Sequence, residues 1–269
     1  MTEPFMSVSV LDGIAIVLLN RPEKLNACDL DEHDEIGRTI REVDARDDVR
    51  AIVITGAGRA FSVGGDLALL ELINREPDPH LDQLSEAARD VVYAMLDSNK
   101  PIVAAVNGPT MGVGTIVALL SDFVIMEKSA RLADGHVRAA VSAGDGGTVI
   151  WPMLVGVMKA KQYLMTGDWI TADVAERLGL ITEISDDGAS VDRALAIARR
   201  LADGPSKAIL YTKRSLNSWL RLGMTINFET ALLHEGVTMT SAAARTAIER
   251  LQVDGTAAIA PDHGGAHAR

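Results

Sequence analysis

Residues 59–67, Arg-Ala-Phe-Ser-Val-Gly-Gly-Asp-Leu, constrain the fold of this chain more than any other segment. They follow the apolar run at residues 51–54 within a few positions. A short apolar run that is followed by glycine is typical of a buried strand and its turn. Because Gly64 and Gly65 have no side chains, their backbone N–H groups can come close to a ligand. The sequence therefore predicts a strand that leads into a glycine-rich binding turn.

Strand-like and helix-like patterns alternate along most of the chain. Residues 7–10 and 14–19 flank Asp12-Gly13, which predicts a hairpin. Asp29, with Glu32 three residues later, predicts the start of a helix. Further strands are predicted at 51–55, 101–106, 123–126 and 180–184, and further helices at 81–95 and 112–120. This alternation predicts an α/β fold with parallel strands.

The organisation changes after residue 148, where the pattern becomes mostly helical. We predict a core domain over residues 1–203 and, after Gly204-Pro205-Ser206, a C-terminal helical region over residues 204–254. Residues 255–269 are rich in Gly, Ala and His, and we predict a flexible tail there.

Composition excludes several function classes. The net charge is −11, so the basic surface that a nucleic-acid partner requires is not expected. Polar residues interrupt the most apolar stretch, at 102–126, which predicts no membrane span. Cys28 is the only cysteine, and residues 1–6 lack the pattern of a signal peptide. We therefore expect a cytoplasmic protein without disulfides, and the scattered histidines predict no metal site.

Three segments together resemble the enoyl-CoA hydratase/isomerase (crotonase) superfamily. They are residues 20–27 (Asn-Arg-Pro-Glu-Lys-Leu-Asn-Ala), 59–67, and 100–108 (Lys-Pro-Ile-Val-Ala-Ala-Val-Asn-Gly). The resemblance extends over roughly residues 8–216. It implies a crotonase-like spiral of ββα repeats with a C-terminal helical trimerisation region. It also implies a homotrimer or a dimer of trimers, and an acyl-CoA substrate with no separate cofactor.

The same resemblance assigns an oxyanion hole to the backbone N–H groups of Gly65 and Val113. Negative charge develops on a thioester oxygen during proton removal or attack, and two preorganised N–H donors stabilise it. The alternative is that these glycines only form tight turns. The residues that the resemblance assigns to substrate or CoA binding are Lys24, Leu25, Ala27, Gly64, Asp66, Leu67, Gly112, Ile116 and Lys213.

The catalytic positions depart from the family pattern. Where the family's hydratases have two glutamates, this chain has Ile116 and His136. His136 and Asp145 are our candidate acid/base pair, since histidine titrates near neutral pH and a carboxylate can orient its ring. Asp134 is a further carboxylate in the same loop. The alternatives are that Asp145 caps the helix after it and that His136 only lines the pocket.

Three functions stay open on this evidence. The first is an enoyl-CoA hydratase-like lyase that acts through an oxyanion-stabilised intermediate. The second is a β-diketone-type C–C hydrolase, because the spacing of His136 and Asp145 resembles the 6-oxocamphor hydrolase-like branch of the superfamily. The third is a catalytically silent acyl-CoA-binding protein.

Overall fold

A computed structural model describes residues 4–254 of the chain, so the tail predicted at residues 255–269 lies outside the described residues. The described part contains nine strands. They are β1 (Met6–Leu11), β2 (Ile14–Leu19), β3 (Ala51–Gly56), β4 (Ile102–Val106), β5 (Thr110–Met111), β6 (Phe123–Glu127), β7 (Arg131–Ala133), β8 (Ile170–Thr171) and β9 (Glu183–Ser185).

Six of these strands form the main sheet, in the order β1-β2-β3-β4-β6-β9. The predicted hairpin is confirmed: β1 and β2 are antiparallel, and the turn residues Asp12 and Gly13 both have positive φ, as a tight hairpin turn requires. Every other neighbouring pair in this sheet is parallel. A smaller sheet has the order β5-β7-β8.

Ten helices are described. They are α1 (Leu30–Asp44), α2 (Leu67–Arg75), α3 (Pro77–Asp97), α4 (Val113–Leu120), α5 (Gly147–Val155), α6 (Val157–Thr166), α7 (Ala172–Leu178), α8 (Ser190–Ala202), α9 (Ser206–Met239) and α10 (Ala242–Asp254). The predicted start of α1 is confirmed by a reciprocal cap, in which the Asp29 carboxylate accepts from the Glu32 N–H and the Glu32 carboxylate accepts from the Asp29 N–H.

Two details differ from the sequence prediction. The helix α2 was not predicted; it forms because the Asp66 carboxylate accepts from the Leu69 N–H and caps its first turn. The strand predicted at residues 180–184 begins only at Glu183. The Leu180 N–H still donates to the Ala175 carbonyl and closes the end of α7, so it is not available to a sheet.

The two faces of the main sheet bury different residues of the same strands. Ile52 and Ile54 of β3 belong to the large core that also contains buried residues of α1, α3 and α4. Ala51 and Val53 face the other way, against small side chains of α8 such as Ala198. Successive strand residues point to opposite faces, so a strand covered by helices on both sides is apolar throughout. The α/β fold class is thereby confirmed.

The helix α9 is joined to the sheet by both apolar and charged contacts. Phe228 and Leu232 belong to the large core. Near the start of α9, Lys213 donates from Nζ to Asp122 Oδ2 and to the Lys100 carbonyl, both at 2.8 Å. The Lys213 side chain is only 4% exposed. No helix in the described part of the chain is both long enough and apolar enough to span a bilayer.

We predict that Lys213→Met lowers the free energy of unfolding by about 3 kcal/mol, because it leaves a largely buried carboxylate without its partner. Denaturant unfolding monitored by circular dichroism measures the effect. The control is Lys161→Met, which removes an exposed charge. Equal stability of the two variants would show that the buried ion pair does not hold α9 in place.

Candidate active site

A cavity of about 470 Å³ brings most of the predicted site residues together. Its walls come from the turn after β3, the start of α4, the segment after β7, and the C-terminal helices α9 and α10. The predicted binding residues that line it are Lys24, Leu25, Ala27, Gly64, Asp66, Leu67 and Gly112, and the predicted catalytic and oxyanion residues His136, Asp145, Gly65 and Val113 line it as well.

Two predicted binding residues do not line the cavity. Ile116 is 1% exposed and packs in the large core, because α4 is buried on all sides and this position turns away from the cavity. Lys213 is held by Asp122 and the Lys100 carbonyl, as described above. Its ammonium is buried and already has two partners, so within this chain Lys213 is a structural residue and does not contact a ligand in the cavity.

The glycine-rich turn and the start of α4 approach each other closely. A Cβ atom at Gly64 would lie 3.0 Å from the Met111 carbonyl oxygen and 3.3 Å from the Gly112 Cα. Both Gly64 and Gly112 also have positive φ, at 87° and 54°. Only glycine satisfies this backbone conformation and this spacing at low cost. The contact places the backbones of residues 64–65 and 112–113 side by side.

The N–H of Gly65 is free to bind a ligand. Cys28 and Gly65 form a parallel bridge, in which the Cys28 N–H donates to the Gly64 carbonyl and the Asp66 N–H donates to the Cys28 carbonyl. In this pattern the N–H of the bridged residue points away from the partner strand. No described residue accepts a hydrogen bond from the Gly65 N–H.

The N–H of Val113 is free for a different reason. Val113 is the first residue of α4, where backbone N–H groups have no acceptor within the helix. No other described residue accepts from it. The positive end of the helix dipole also favours an anion here. Two unpaired N–H groups on adjoining backbone segments of one cavity have the chemistry of an oxyanion hole.

Charged residues near residue 24 surround one side of the cavity. The Lys24 ammonium lies 3.0 Å from Asp66 Oδ2, and an Arg21 nitrogen lies 3.6 Å from the same oxygen. Arg21 also donates to Glu32 of the α1 cap. The Lys24 side chain is about half exposed, so Asp66 fixes the position of a cation that solvent and ligand can reach.

His136 lies among three carboxylates on the opposite wall. Its Nδ1 is 2.8 Å from Asp134 Oδ1, which also accepts from the His136 backbone N–H at 3.2 Å. Its Nε2 is 3.6 Å from Asp145 Oδ2 and 3.7 Å from Glu235 Oε1. The predicted pair is thus brought together, but the prediction that Asp145 orients the ring is wrong. Asp134 makes that hydrogen bond, because the turn from β7 places it beside Nδ1.

The carboxylates decide the charge of the imidazole. Burial lowers the pKa of His136, but the charges of Asp134 and Asp145, the hydrogen bond from Asp134 and the charge of Glu235 outweigh burial. The pKa of His136 is therefore raised well above its usual value, and the ring is an imidazolium at neutral pH. Nδ1–H then donates to Asp134, whereas Nε2–H makes no hydrogen bond to a described residue and has oxygens of Asp145 and Glu235 at 3.6 and 3.7 Å.

Glu235 is the site residue that sequence analysis missed. It belongs to α9, about a hundred residues after His136, and no local motif marks it. Its approach depends on Gly144, because a Cβ there would lie 2.5 Å from the Glu235 Cβ. Burial, with the charges of Asp145 and Asp134, raises the pKa of Glu235 to about 8 despite the nearby His136.

Asp145 is not the cap residue of α5, although the backbone N–H of Gly147, the first residue of that helix, acts on its carboxylate and works against the rise in its pKa that burial causes. The cap position of α5 is Gly146, and no side chain caps this helix. Burial raises the pKa of Asp145, His136 opposes that rise, and Asp134 adds to it. The buried Oδ1 of Asp145 has no hydrogen-bond partner among the described residues. A buried acceptor without a partner is costly, so a hydrogen bond from a ligand or a water molecule that reaches this oxygen would stabilise the site.

The same groups could in principle hold a metal ion, since Asp134, His136 and Asp145 offer ligand atoms that lie within 4.8 Å of one another. However, Asp134 Oδ1 and His136 Nδ1 are 2.8 Å apart and face each other. At that separation the two atoms share a hydrogen bond, so the Nδ1 lone pair and this Asp134 oxygen are engaged with each other. The arrangement suits proton transfer better than metal binding.

Comparison with known proteins gives a consistent result. The sequence model of the family described as enoyl-CoA hydratase/isomerase matches residues 10–249. The 1,2-epoxyphenylacetyl-CoA isomerase of Escherichia coli is 31% identical over 80% of this chain and 82% of that protein. The short-chain-enoyl-CoA hydratase of Clostridium acetobutylicum is 31% identical over 82% of this chain and 83% of its own length.

A solved structure shows the same fold. The crystal structure of an enoyl-CoA hydratase/isomerase from Mycobacterium paratuberculosis superimposes with a TM-score of 0.88 at 35% identity, and it covers 93% of this chain and 99% of the other. The match to the family model, over residues 10–249, extends through the helical region that supplies Glu235. The cavity, its free N–H groups and these similarities lead to one conclusion: this chain belongs to the enoyl-CoA hydratase/isomerase (crotonase) family.

Proposed function

We propose that this protein is a hydratase-like lyase that adds water to an enoyl-CoA thioester, with His136 and Asp145 in place of the usual two glutamates. The observation that carries the proposal is that two N–H groups without acceptors, those of Gly65 and Val113, line the same cavity as His136. Membership of the enoyl-CoA hydratase/isomerase family supports an acyl-CoA substrate.

The oxyanion hole would stabilise the intermediate. Addition of water at the β-carbon moves an electron pair onto the thioester oxygen, which becomes an enolate. The N–H groups of Gly65 and Val113 donate to that oxygen, and each such donor contributes roughly 2.7–4 kcal/mol in enzymes of this kind. Lys24, held by Asp66, supplies positive charge to the polyanionic CoA.

The proton transfers would use the two sides of the His136 cluster. Asp145 Oδ1 accepts the proton of the attacking water, whose hydroxyl adds to the β-carbon. The Nε2–H of His136 gives its proton to the α-carbon as the enolate collapses. The protonated Asp145 then returns its proton to Nε2 of His136 through a bridging water molecule, because Asp145 Oδ2 lies 3.6 Å from Nε2, too far for a direct hydrogen bond. Asp134 holds the ring through Nδ1 and does not change its protonation.

A β-diketone-type C–C hydrolase is the second candidate. It is favoured by the imidazolium between three carboxylates, because such a cluster can direct water at a carbonyl carbon as well as at an alkene. In that case the oxyanion is a tetrahedral one, held by the same Gly65 and Val113 N–H groups. Turnover of a β-keto thioester instead of an enoyl-CoA would identify this activity, and no turnover of either would indicate a silent acyl-CoA-binding protein.

We also propose that the protein assembles as a homotrimer or a dimer of trimers. The support is an apolar surface on α9, where Leu216 is 63% exposed and Trp219 is 65% exposed. Such a large exposed apolar area is typical of an interface. Size-exclusion chromatography with light scattering measures the number of subunits. The cytoplasmic location stays a prediction from the sequence.

The role of the oxyanion hole is tested at Val113. We predict that Val113→Pro lowers kcat for hydration of crotonyl-CoA by about 10²–10³-fold, because it deletes one N–H donor. Proline is tolerated at the first position of a helix, so α4 is kept. Val113→Ala, which retains the N–H, is the matched control and keeps kcat within a few-fold. Equal rates in the two variants would remove Val113 from the oxyanion hole.

The role of the acid/base pair is tested at His136. We predict that His136→Ala lowers kcat by about 10²–10⁴-fold, whereas the affinity for a saturated acyl-CoA measured by calorimetry changes little. Asp134→Asn is the companion variant. It keeps the shape of the site and loses the negative charge at Nδ1, so the kinetic pKa of the acid is expected to fall. Full activity of His136→Ala would refute the proposed mechanism.

The pH dependence of stability is tested at Glu235. Its pKa is about 8 in the folded protein and near 4.3 when unfolded. Because the folded protein binds this proton more tightly than the unfolded chain does, the contribution of Glu235 to stability is fully present below the pKa of the unfolded chain. That contribution is lost as the pH rises towards 8. The pKa of His136 is also raised in the folded protein, so its contribution to stability is likewise lost as the pH rises. We therefore predict that the denaturation midpoint falls from pH 5 to pH 9.

Glu235→Gln removes the largest part of that fall, and thermal unfolding at pH 5, 7 and 9 measures it. The control is Glu249→Gln, since Glu249 is exposed on α10 and its replacement leaves the slope unchanged. A Glu235→Gln variant with the slope of the wild type would show that Glu235 titrates as an ordinary surface carboxyl.

A further inference from the structure

His33 is a polar side chain in an apolar part of the cavity, and the proposed mechanism does not use it. It lies in the first turns of α1, is 4% exposed, and lines the cavity. Its Nδ1 is buried and has no hydrogen-bond partner among the described residues. A buried polar atom without a partner destabilises a folded protein unless something satisfies it.

The neighbours of His33 place it beside the inner cavity. Three residues before it on the same face of α1, Leu30 packs in a cluster with Leu69 of α2. Four residues after it, Gly37 lies against the α3 backbone, where an added Cβ would be 2.8 Å from the Asp90 carbonyl carbon. His33 therefore sits between α2 and α3. Apart from Glu235, the cavity-lining residues of these helices and of α9 and α10 are apolar, and they include Leu69, Leu84, Ala88, Met239 and Leu251.

The imidazole of His33 is neutral. Burial lowers its pKa to about 4, and no charged group contributes to that shift. A neutral imidazole has one N–H donor and one acceptor nitrogen. It can therefore bind a hydroxyl or a keto oxygen, whereas a carboxylate would be buried in this apolar region without a counter-charge.

We infer that the inner cavity accepts an apolar acyl group carrying one hydroxyl or keto group, and that His33 recognises this group. The inference rests on the proposed function, since it assumes that an acyl-CoA occupies the cavity. A plain hydrocarbon chain leaves the imidazole unpaired, whereas a chain with a suitably placed oxygen satisfies it. A site with a buried hydrogen-bonding group discriminates strongly against a ligand that lacks the partner.

The test compares the binding of saturated thioesters, which cannot be hydrated, so affinity is measured apart from turnover. The ligands are octanoyl-CoA and its 5-, 6-, 7- and 8-hydroxy isomers, measured by titration calorimetry. We expect at least one isomer to bind the wild type about 10-fold more tightly than octanoyl-CoA. In His33→Leu this advantage is lost, and octanoyl-CoA binds this variant at least as tightly as it binds the wild type. In His33→Gln, which keeps hydrogen-bonding atoms, part of it remains.

The inference is overturned if no hydroxy isomer binds the wild type better than octanoyl-CoA, or if His33→Leu keeps the preference. Should His33→Leu fail to fold, the order of the five thioester affinities in the wild type and in His33→Gln decides whether the inference holds. Tight binding of octanoyl-CoA without any preference contradicts this inference alone. Absence of binding by all five thioesters contradicts the proposed function as well.

Discussion

The site depends on one contact between two backbones, that of Gly64 with Gly112. A side chain at Gly64 would press on the Met111 carbonyl and force the glycine-rich turn away from the start of α4, and a side chain at Gly112 would strain its positive φ. The bridge to Cys28 orients the N–H of Gly65, and the start of α4 orients the N–H of Val113. These two N–H groups would then no longer lie side by side. Parallel strands β3 and β4 deliver these two segments to the same edge of the sheet, so the fold and the site have a common origin.

The second constraint is electrostatic. The His136 imidazole lies among the buried carboxyl groups of Asp134, Asp145 and Glu235, and charges buried in this way are costly unless opposite charges compensate one another. The positive ring compensates Asp134 directly through a hydrogen bond. Asp145 and Glu235 lie beyond hydrogen-bonding distance of Nε2, and Asp145 Oδ1 has no hydrogen-bond partner among the described residues. His33 lines the same cavity among apolar residues of α2 and α3, such as Leu69 and Leu84.

Sequence analysis predicted the parts of the fold that local rules determine. The hairpin at Asp12-Gly13 and the cap at Asp29 follow from turn and helix preferences that act over three or four residues. The glycine-rich turn could be assigned because the chemistry of glycine is distinctive. Ile116 was misplaced because a position in a helix does not reveal which side faces the cavity. Lys213 was misplaced because its partners lie about a hundred residues earlier in the chain.

Glu235 and the role of Asp134 could not have been predicted for related reasons. Glu235 reaches the site from α9 through a tertiary contact at Gly144. Asp134 was present in the right loop, but its orientation depends on the turn into His136.

The central claim concerns geometry, and a crystal structure with bound octanoyl-CoA tests it most directly. The account predicts a thioester oxygen about 2.7–3.1 Å from the nitrogens of both Gly65 and Val113. A thioester oxygen bound elsewhere, with both N–H groups unoccupied, would contradict it.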